Sequence, residues 1–421
     1  MLCLVILLST LLCGCRHATP SAPRQHELEP ISYSAQIVLD AATKRMEGTV
    51  QFTFVSPENG LKELCVWAPH GLDGAQCNEQ SLSLERQENY TLLALPTVAE
   101  AGSEWDIRLR FSMDCAHGAG FVARDFIPLV CAFDKGFLRP QAPDYAPYFR
   151  PWAGQCDMTI VAPKTQVVLC SGQLVERTYP DGIQSVRYAL DVARPNQMIA
   201  DPYLARREAT VGHTHWEYYA TSLHDPVWQT LLSLADAATT LWGEPAHDHV
   251  AIVQGSYAAT PALVGMSATD MRTIAEAVAA MWAGAPAADA WITPSIERFA
   301  LYRLYVEIDE KAAYTLRDEA RQNLLEYQLL FGQTGDAARM DKPLASYDEN
   351  AYRALLENKG LLLWSTLREI AGEAIDRAIL ALRRSPTAPD TSTVMAAVSK
   401  ATHHDYSDYF AAWLGGNVLL V

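Results

Sequence analysis

The hydrophobic pattern changes its period once along the chain, and this change limits the possible folds more than any other feature. Across residues 32–206, apolar and polar residues alternate in segments such as 48–54 and 105–111, with turn residues between the segments. This alternation is typical of strands buried on one face. From about residue 225 the period becomes 3.6, and one helical face carries Val227, Leu231, Leu234, Ala238 and Leu241.

Two domains of different type follow from this pattern. We predict a multi-domain β + α chain, in which an N-terminal antiparallel β-sandwich spans 32–206 and a mostly helical domain with a small sheet spans 207–421. Residues 249–254 predict a strand of that small sheet. Around Pro163, residues 157–162 and 166–172 predict a hairpin. Further helices are expected over residues 267–284, 294–334, 350–384, 391–401 and 405–414.

The N-terminal residues predict an export signal. Leu2 to Leu12 form a short apolar run that ends in Leu12-Cys-Gly-Cys15. The run is too short to span a bilayer and suits a signal peptide. Its end resembles the bacterial lipobox, which implies a signal peptide over 1–14, lipidation of Cys15 and a tether over 15–31. An ordinary cleaved signal peptide with a fortuitous cysteine is the alternative. The lipobox predicts a lipid-anchored protein of the bacterial cell envelope, facing the periplasm or the surface.

Six cysteines remain beyond the signal, all within one stretch of the predicted sandwich. An even number of cysteines in one exported domain favours disulfides. Their spacing favours pairing between sequence neighbours, and buried free thiols are the alternative. The predicted pairs are Cys65–Cys77, Cys115–Cys131 and Cys156–Cys170. No CxxC spacing occurs, so structural zinc is not expected.

The net charge of −16 excludes one class of partner. An acidic chain without a local basic patch repels phosphate backbones, so no nucleic-acid partner is expected. No run of 18 apolar residues occurs, so no internal transmembrane helix is expected either. The predicted contact with a membrane is therefore made through the lipid anchor on Cys15.

A series of short motifs resembles the aminopeptidase N family of zinc metallopeptidases, in the family's order. Trp291-Ile-Thr-Pro-Ser resembles its "WLNEG" and Lys359-Gly360 its "YxKG". Further similar fragments begin at Gly172, Asp201, Leu241 and Tyr409. The resemblance covers residues 30–421, and it implies a thermolysin-like second domain that binds zinc through HExxH and a later Glu.

The residues that align with the family's functional positions differ from those the chemistry needs. The two zinc-binding His match Glu276 and Ala280, or Ala275 and Ala279 in the adjacent register, and the chain has no His between His249 and His403. Five degenerate motif positions result, in which a zinc ligand, catalytic Tyr or amine-binding Glu is replaced: Ala259, Glu276, Ala280, Pro294 and Glu357. We therefore predict no catalytic residues, no metal ligands and no cofactor in this site.

Other residues offer a replacement metal site. His213-x-His215 and His247-x-His249 would each place two imidazoles on one strand face, and His403-His404-Asp405 lies near the C-terminus. No Glu or Asp is found at a spacing that completes a known site, so solvated strand and helix ends are the simpler interpretation. Similarly, Glu297, Glu307, Asp309 and Glu310 suggest a solvated acidic face. Core packing is expected for Trp282, Trp291, Trp364 and Trp413.

Three functional classes are open on this basis. The first is a catalytically inactive, peptidase-like lipoprotein that binds a peptide or protein. The second is a divergent metallo-aminopeptidase or other hydrolase. The third is a structural component of the envelope whose sandwich mediates assembly.

Overall fold

The structure is a computed structural model, which describes most of the chain after residue 30. The described residues are 31–56, 59–86, 90–130, 133–134, 137–138, 154–190, 196–245, 247–255, 259–260, 262–282, 287–332, 335–383 and 389–415. The predicted signal peptide, Cys15, nearly all of the tether and Cys131 lie outside them. The predictions for the signal peptide, for Cys15 and for the tether therefore stay predictions.

The first domain is built from strands. The first nine are β1 (Ile31–Asp40), β2 (Arg45–Val55), β3 (Leu61–Trp67), β4 (Gly74–Cys77), β5 (Gln80–Ser81), β6 (Leu84–Arg86), β7 (Tyr90–Ala99), β8 (Glu104–Asp114) and β9 (Ala116–His117). The others are β10 (Gly120–Arg124), β11 (Leu129–Val130), β12 (Phe133–Asp134), β13 (Phe137–Leu138), β14 (Gly154–Pro163), β15 (Val167–Cys170), β16 (Gln173–Thr178), β17 (Ile183–Leu190) and β18 (Gln197–Asp201).

One large sheet and two smaller ones enclose the first core. The large sheet has the order β16-β17-β14-β1-β2-β8-β4-β5, and the smaller sheets are β15-β18-β10-β9 and β11-β3-β7-β6. Strand β1 alternates strictly between buried and exposed residues, because only one face of its sheet meets the core. The sandwich is not wholly antiparallel, since β1 runs parallel to β14.

The predicted hairpin around Pro163 is wrong. Strand β14 pairs with β1 and β17 in the large sheet, whereas β15 pairs with β18 in another sheet. The chain therefore crosses from one layer to the other at residues 164–166. Alternating patterns identify strands well but do not say which sheet each strand joins.

The predicted disulfides are also not formed. Cys65 lies on β3 and Cys77 on β4, which belong to different sheets. Each predicted pair contains at least one free thiol, and the free, buried thiols are Cys77, Cys115, Cys156 and Cys170. Cys156 and Cys170 both lie in the core of the first domain, where they behave as small apolar side chains.

The second domain consists of a small five-stranded sheet, which begins with two consecutive strands, and a helical body. Its strands are β19 (Ala205–Val211), β20 (Thr214–Ala220), β21 (His249–Gln254), β22 (Ala259–Thr260) and β23 (Leu263–Met266). Its helices are α1 (Asp225–Trp242), α2 (Met271–Ala280), α3 (Ile292–Ile308), α4 (Glu310–Phe331), α5 (Glu349–Ala351), α6 (Gly360–Ala371), α7 (Ala374–Arg383), α8 (Thr391–Thr402) and α9 (Ser407–Leu414). A π-helix spans Tyr352–Lys359, and short 3₁₀ turns span Gly335–Ala338 and Leu344–Ser346.

Two long predicted helices are each divided. The expected helix over 294–334 breaks at Asp309, whose side chain accepts a hydrogen bond from the Ala312 amide and starts α4. The expected helix over 350–384 includes the π-helix and breaks at Gly372, which has a φ of 68°. A capping residue can therefore divide one predicted helix into two, although the 3.6-residue period of apolar residues continues through it.

The five-stranded sheet has the order β19-β20-β21-β23-β22 and joins the two domains. One face, which includes Trp216 and Tyr218, packs on the helices. The opposite face places Tyr219 and Val253 against a strand residue of the first domain, Ile199. Of the described helices, none has the length and apolar character needed to cross a bilayer.

Candidate functional sites

Helix α2 carries the residues that align with the family's HExxH motif. Its first turn is capped by Asp270, which accepts a hydrogen bond from the Thr273 amide. Ala275 and Ala279 are buried in the helical core, while Glu276 is exposed on the other side of the helix. Neither register therefore presents a metal-binding side chain other than the Glu276 carboxylate.

The Glu276 carboxylate is already paired with two guanidinium groups. Arg272, one turn earlier on α2, donates from Nε to Oε1 at 3.1 Å. Arg298 of α3 places its guanidinium 3.9 Å from the same oxygen. Arg272 also lies 3.4 Å from Glu319 of α4. A network of ion pairs thus connects α2, α3 and α4.

The π-helix places Glu357 near this network. Burial raises the pKa of Glu357, Glu276 raises it further, and the charges of Arg298 and Arg353 oppose the shift. The next helix begins at Gly360, where an added Cβ would lie 2.3 Å from the Cβ of Ser295. A glycine is therefore required for α6 to approach α3 this closely.

These residues do not fit the zinc ion that the resemblance implies. Zinc sites of this kind use two imidazoles and one carboxylate. Here Ala280 and Pro294 have no donor atom, Pro294 is buried within α3, and Glu276 is neutralised by arginine. Ala259 lies on the edge strand β22, next to β23. A cationic guanidinium close to the remaining carboxylate opposes the binding of a second cation.

A second cluster of polar side chains lies on the opposite face of the five-stranded sheet. Because β20 and β21 run parallel, His215 lies beside His249, and their rings stack with centroids 5.3 Å apart. Glu217 is two residues after His215 and so shares its face. One ligand atom from each of these three residues lies within 4.8 Å of the other two.

Glu217 is buried, and its carboxylate oxygens have several hydrogen-bonding and ionic partners. Its carboxylate lies 3.0 Å from Nε2 of His249 and 2.7 Å from Arg206, and it accepts a 2.8 Å hydrogen bond from the Tyr219 hydroxyl. Burial alone would raise the pKa of Glu217, but the hydrogen bonds and charges of His249, Tyr219 and Arg206 outweigh it and lower that pKa to about 2. The group is therefore a carboxylate at neutral pH.

The cluster borders a cavity between the two domains. The cavity has a volume of about 240 Å³, and its walls include Leu169, Tyr188 and Ala251 as well as Glu217 and His249. The Glu217 carboxylate and the His249 imidazole therefore border a space that small molecules or water can occupy.

The expectation that no carboxylate accompanies the His pairs is wrong. Glu217 was visible in the sequence, since strand alternation places it beside His215. The pairing of His215 with His249 depends on strand register, which the sequence pattern does not supply. His213 lies in the turn before β20, and His403 ends α8, so neither joins the cluster.

The remaining candidates have structural roles. The indoles of Trp282, Trp291, Trp364 and Trp413 are buried in the helical core, as predicted. Asp309 caps α4, and Glu307 and Glu310 are exposed, as expected for a solvated face. Glu297 differs, because it is partly buried. Asp405 accepts hydrogen bonds from Ser407 at the start of α9.

Comparisons with known structures identify the fold. A crystal structure of an M1 zinc metallopeptidase variant from Deinococcus radiodurans is similar to this chain with a TM-score of 0.66 and 14% identity, covering 94% of this chain and 96% of the other. The same enzyme, as a variant bound to the substrate Tyr-Ser-Ala, gives a TM-score of 0.65 with 14% identity and the same coverage. The enzyme without the substitution gives 0.64 with 15% identity, over 94% and 96% of the two chains.

Neither a protein-family sequence profile nor a curated protein sequence matches the chain. The structural similarity nevertheless extends over both domains. The protein therefore has the two-domain fold of a zinc metallopeptidase. Specifically, it has the fold of the M1 peptidases, the aminopeptidase N family, as the sequence motifs predicted.

Proposed function

We propose that this protein is a lipid-anchored envelope protein that uses a peptidase-like groove to bind a peptide or protein ligand without hydrolysing it. The observation that carries the proposal is the ion pair between Glu276 and Arg298. In the resemblance to aminopeptidase N, Glu276 holds the place of a zinc ligand. Here an arginine side chain supplies the positive charge that zinc would supply in an enzyme.

The chemistry supports this proposal. A zinc peptidase lowers the pKa of a bound water to about 7 and polarises the scissile carbonyl. A guanidinium can attract a carbonyl or carboxylate, but its permanent charge has no open coordination position in which to activate water. Arg298 therefore favours binding over hydrolysis.

The charges of the groove suggest the class of ligand. Glu319 and Glu357 offer acceptors for an ammonium group, and Arg272 and Arg298 offer donors for a carboxylate. A short peptide carries both groups. The structurally similar Deinococcus variant is bound to the tripeptide Tyr-Ser-Ala, and this supports the same class of ligand for the present groove.

The test is calorimetric titration of the full chain with Tyr-Ser-Ala and with a panel of tripeptides, followed by mass spectrometry of the mixture. We expect saturable binding and intact peptide. Arg298→Gln should weaken binding about 10-fold, corresponding to the loss of one charge-assisted hydrogen bond. Arg45→Gln, at an exposed position of β2 in the first domain, is the matched control and should bind normally.

Hydrolysis of the peptides would contradict the proposal and favour a divergent metallo-aminopeptidase. This holds especially if added zinc, cobalt or manganese increased the rate and Glu276→Ala abolished it. Absence of binding by every peptide, together with co-purification of envelope proteins through the first domain, would favour the structural component instead.

The membrane anchor rests on the sequence Leu12-Cys-Gly-Cys15 after an apolar run. Lipidation of Cys15 would give stable anchoring only with more than one acyl chain, because a single chain binds membranes marginally. We expect Cys15→Ser to move the protein from the membrane fraction to the soluble fraction of a bacterial host. Cys13→Ser is the matched control, and a Cys15→Ser protein that stays in the membrane would refute the anchor.

A further inference from the structure

We propose that the protein has a divalent transition-metal site at His215, Glu217 and His249, on the face of the five-stranded sheet that points away from α2. The site is independent of the peptidase groove, and its metal is of the zinc class. The two imidazoles supply Nε2, and the Glu217 carboxylate supplies an oxygen.

The distances between the donor atoms suit such an ion. Zinc binds nitrogen and oxygen at about 2.0–2.1 Å, so the ligand atoms of a tetrahedral site are about 3.3 Å apart. Nε2 of His249 lies 3.0 Å from one oxygen of Glu217, and Nε2 of His215 lies 3.8 Å from the other. Small rotations of the side chains would therefore bring all three donors to one ion.

The chemistry of the donors selects the class of metal. Two imidazoles with one carboxylate favour zinc, nickel or copper over calcium or magnesium, which prefer oxygen ligands alone. Glu208 lies 3.3 Å from Nε2 of His215 and is placed to give a fourth ligand. Otherwise the fourth position is open to a molecule from the adjoining cavity.

The groups around Glu217 support its role as a ligand. A metal-binding carboxylate is usually hydrogen-bonded by neighbouring groups that fix its orientation. Tyr219 does so here with a 2.8 Å hydrogen bond. The single positive charge of Arg206 is shared between Glu208 and Glu217, unlike the two guanidinium groups that pair with Glu276, so the Glu217 carboxylate can bind an ion as well.

Charge balance also favours an added cation. Glu208 and Glu217 lie directly opposite each other on β19 and β20, an unfavourable pairing of like charges. Arg206 bridges them and contributes a single positive charge. With neutral imidazoles, these groups retain a net negative charge, which a divalent ion would offset.

The experiment is a zinc titration of chelator-treated, desalted full-length protein in competition with a chromophoric chelator, repeated with cobalt to read the visible spectrum. We expect one equivalent to bind and cobalt to give the intense absorption of a tetrahedral site. His215→Gln and His249→Gln should each weaken binding at least about 10-fold. His213→Gln removes a neighbouring imidazole outside the cluster and should bind like the wild type.

Circular dichroism and urea unfolding check that the variants fold. His215 is 38% exposed, so His215→Gln keeps the test valid if His249→Gln unfolds. Failure to bind zinc at micromolar concentrations, or wild-type binding by both variants, would refute the site. If Glu276→Gln rather than these variants removed the metal, the ion would lie in the groove. That result would refute both this site and the inactive-groove proposal, whereas loss only in the His variants leaves the proposed function unaffected.

Discussion

Arg298 of α3 reaches across to Glu276 of α2, with 3.9 Å between guanidinium nitrogen and carboxylate oxygen. Burial raises the pKa of Glu357 and the charge of Arg298 opposes that rise, so Arg298 acts on two carboxylates from two different helical segments. The Arg298 guanidinium therefore links α2 and the π-helix electrostatically through α3.

Replacing Arg298 by Met should lower the free energy of unfolding by about 1–2 kcal/mol at pH 7, because Glu276 and Glu357 lose a counter-charge. A double-mutant cycle with Glu276→Gln measures the pair itself. Since Glu276 is 42% exposed, the coupling should be only about 0.5–1 kcal/mol. Urea unfolding provides all four values, and a coupling of zero would mean that the two charges do not interact in solution.

Glu357→Gln should stabilise the protein at neutral pH and have little effect at low pH. The folded-state pKa of Glu357 is raised by burial, so its contribution to stability is complete below the unfolded pKa and is lost as pH rises through the folded pKa. Glutamine stays neutral and avoids this loss. Urea midpoints of both proteins from pH 4 to pH 8 should diverge as pH rises, and parallel curves would contradict the assignment.

Lys359 should make stability increase between pH 8 and pH 10.5. Its side chain is 1% exposed, donates to the Ala338 carbonyl at 2.7 Å, and has a pKa lowered by burial from 10.5 to about 8. A lowered pKa means that stability is present above the unfolded pKa and is lost as pH falls through the folded one.

The size of this effect is about 3 kcal/mol across that window. Lys359→Met should remove the dependence, and comparison of the two unfolding curves between pH 7 and pH 10 isolates it from other titrating groups. Lys400→Met, at an exposed position near the end of α8, is the control. The assignment fails if Lys359→Met keeps the wild-type slope.

The thiols of Cys156 and Cys170 should react with alkylating reagents only after unfolding. Burial raises the pKa of the Cys156 thiol to about 12 and that of Cys170 well above its usual value. The reactive thiolate is therefore scarce at pH 8 in the folded protein. Mass spectrometry after labelling with and without urea measures this. A peptide that links the two cysteines would show that they are oxidised in the native protein.

The sequence predicted the strands, the helical period and the family's fold, because each depends on local patterns of apolar residues and short motifs. It did not predict that β14 and β15 join different sheets, or that Asp309 and Gly372 divide long apolar repeats. The placement of Glu276 on the helix that aligns with the family's zinc-binding motif was predictable from the motifs. The arginine partner of Glu276 was not, because the contact between α2 and α3 depends on helix packing rather than on spacing.

The cluster around Glu217 illustrates the same limit. Alternation on β20 placed His215 and Glu217 on one face, but His249 joins them through a parallel pairing of strands 34 residues apart. Neither the composition nor the periodicity of the sequence predicts which strands pair. The pairing becomes visible only once the sheet order is known.

Strand β20 faces the helices with one set of residues and the first domain with the other. Inserting a single residue near its start would exchange the two sets, so that Trp216 and Tyr218 would point into the interdomain layer and Glu217 into the helical core. Such a change would disturb both interfaces at once. Relatives of this protein should therefore differ in length at the turns that flank this strand and conserve its length.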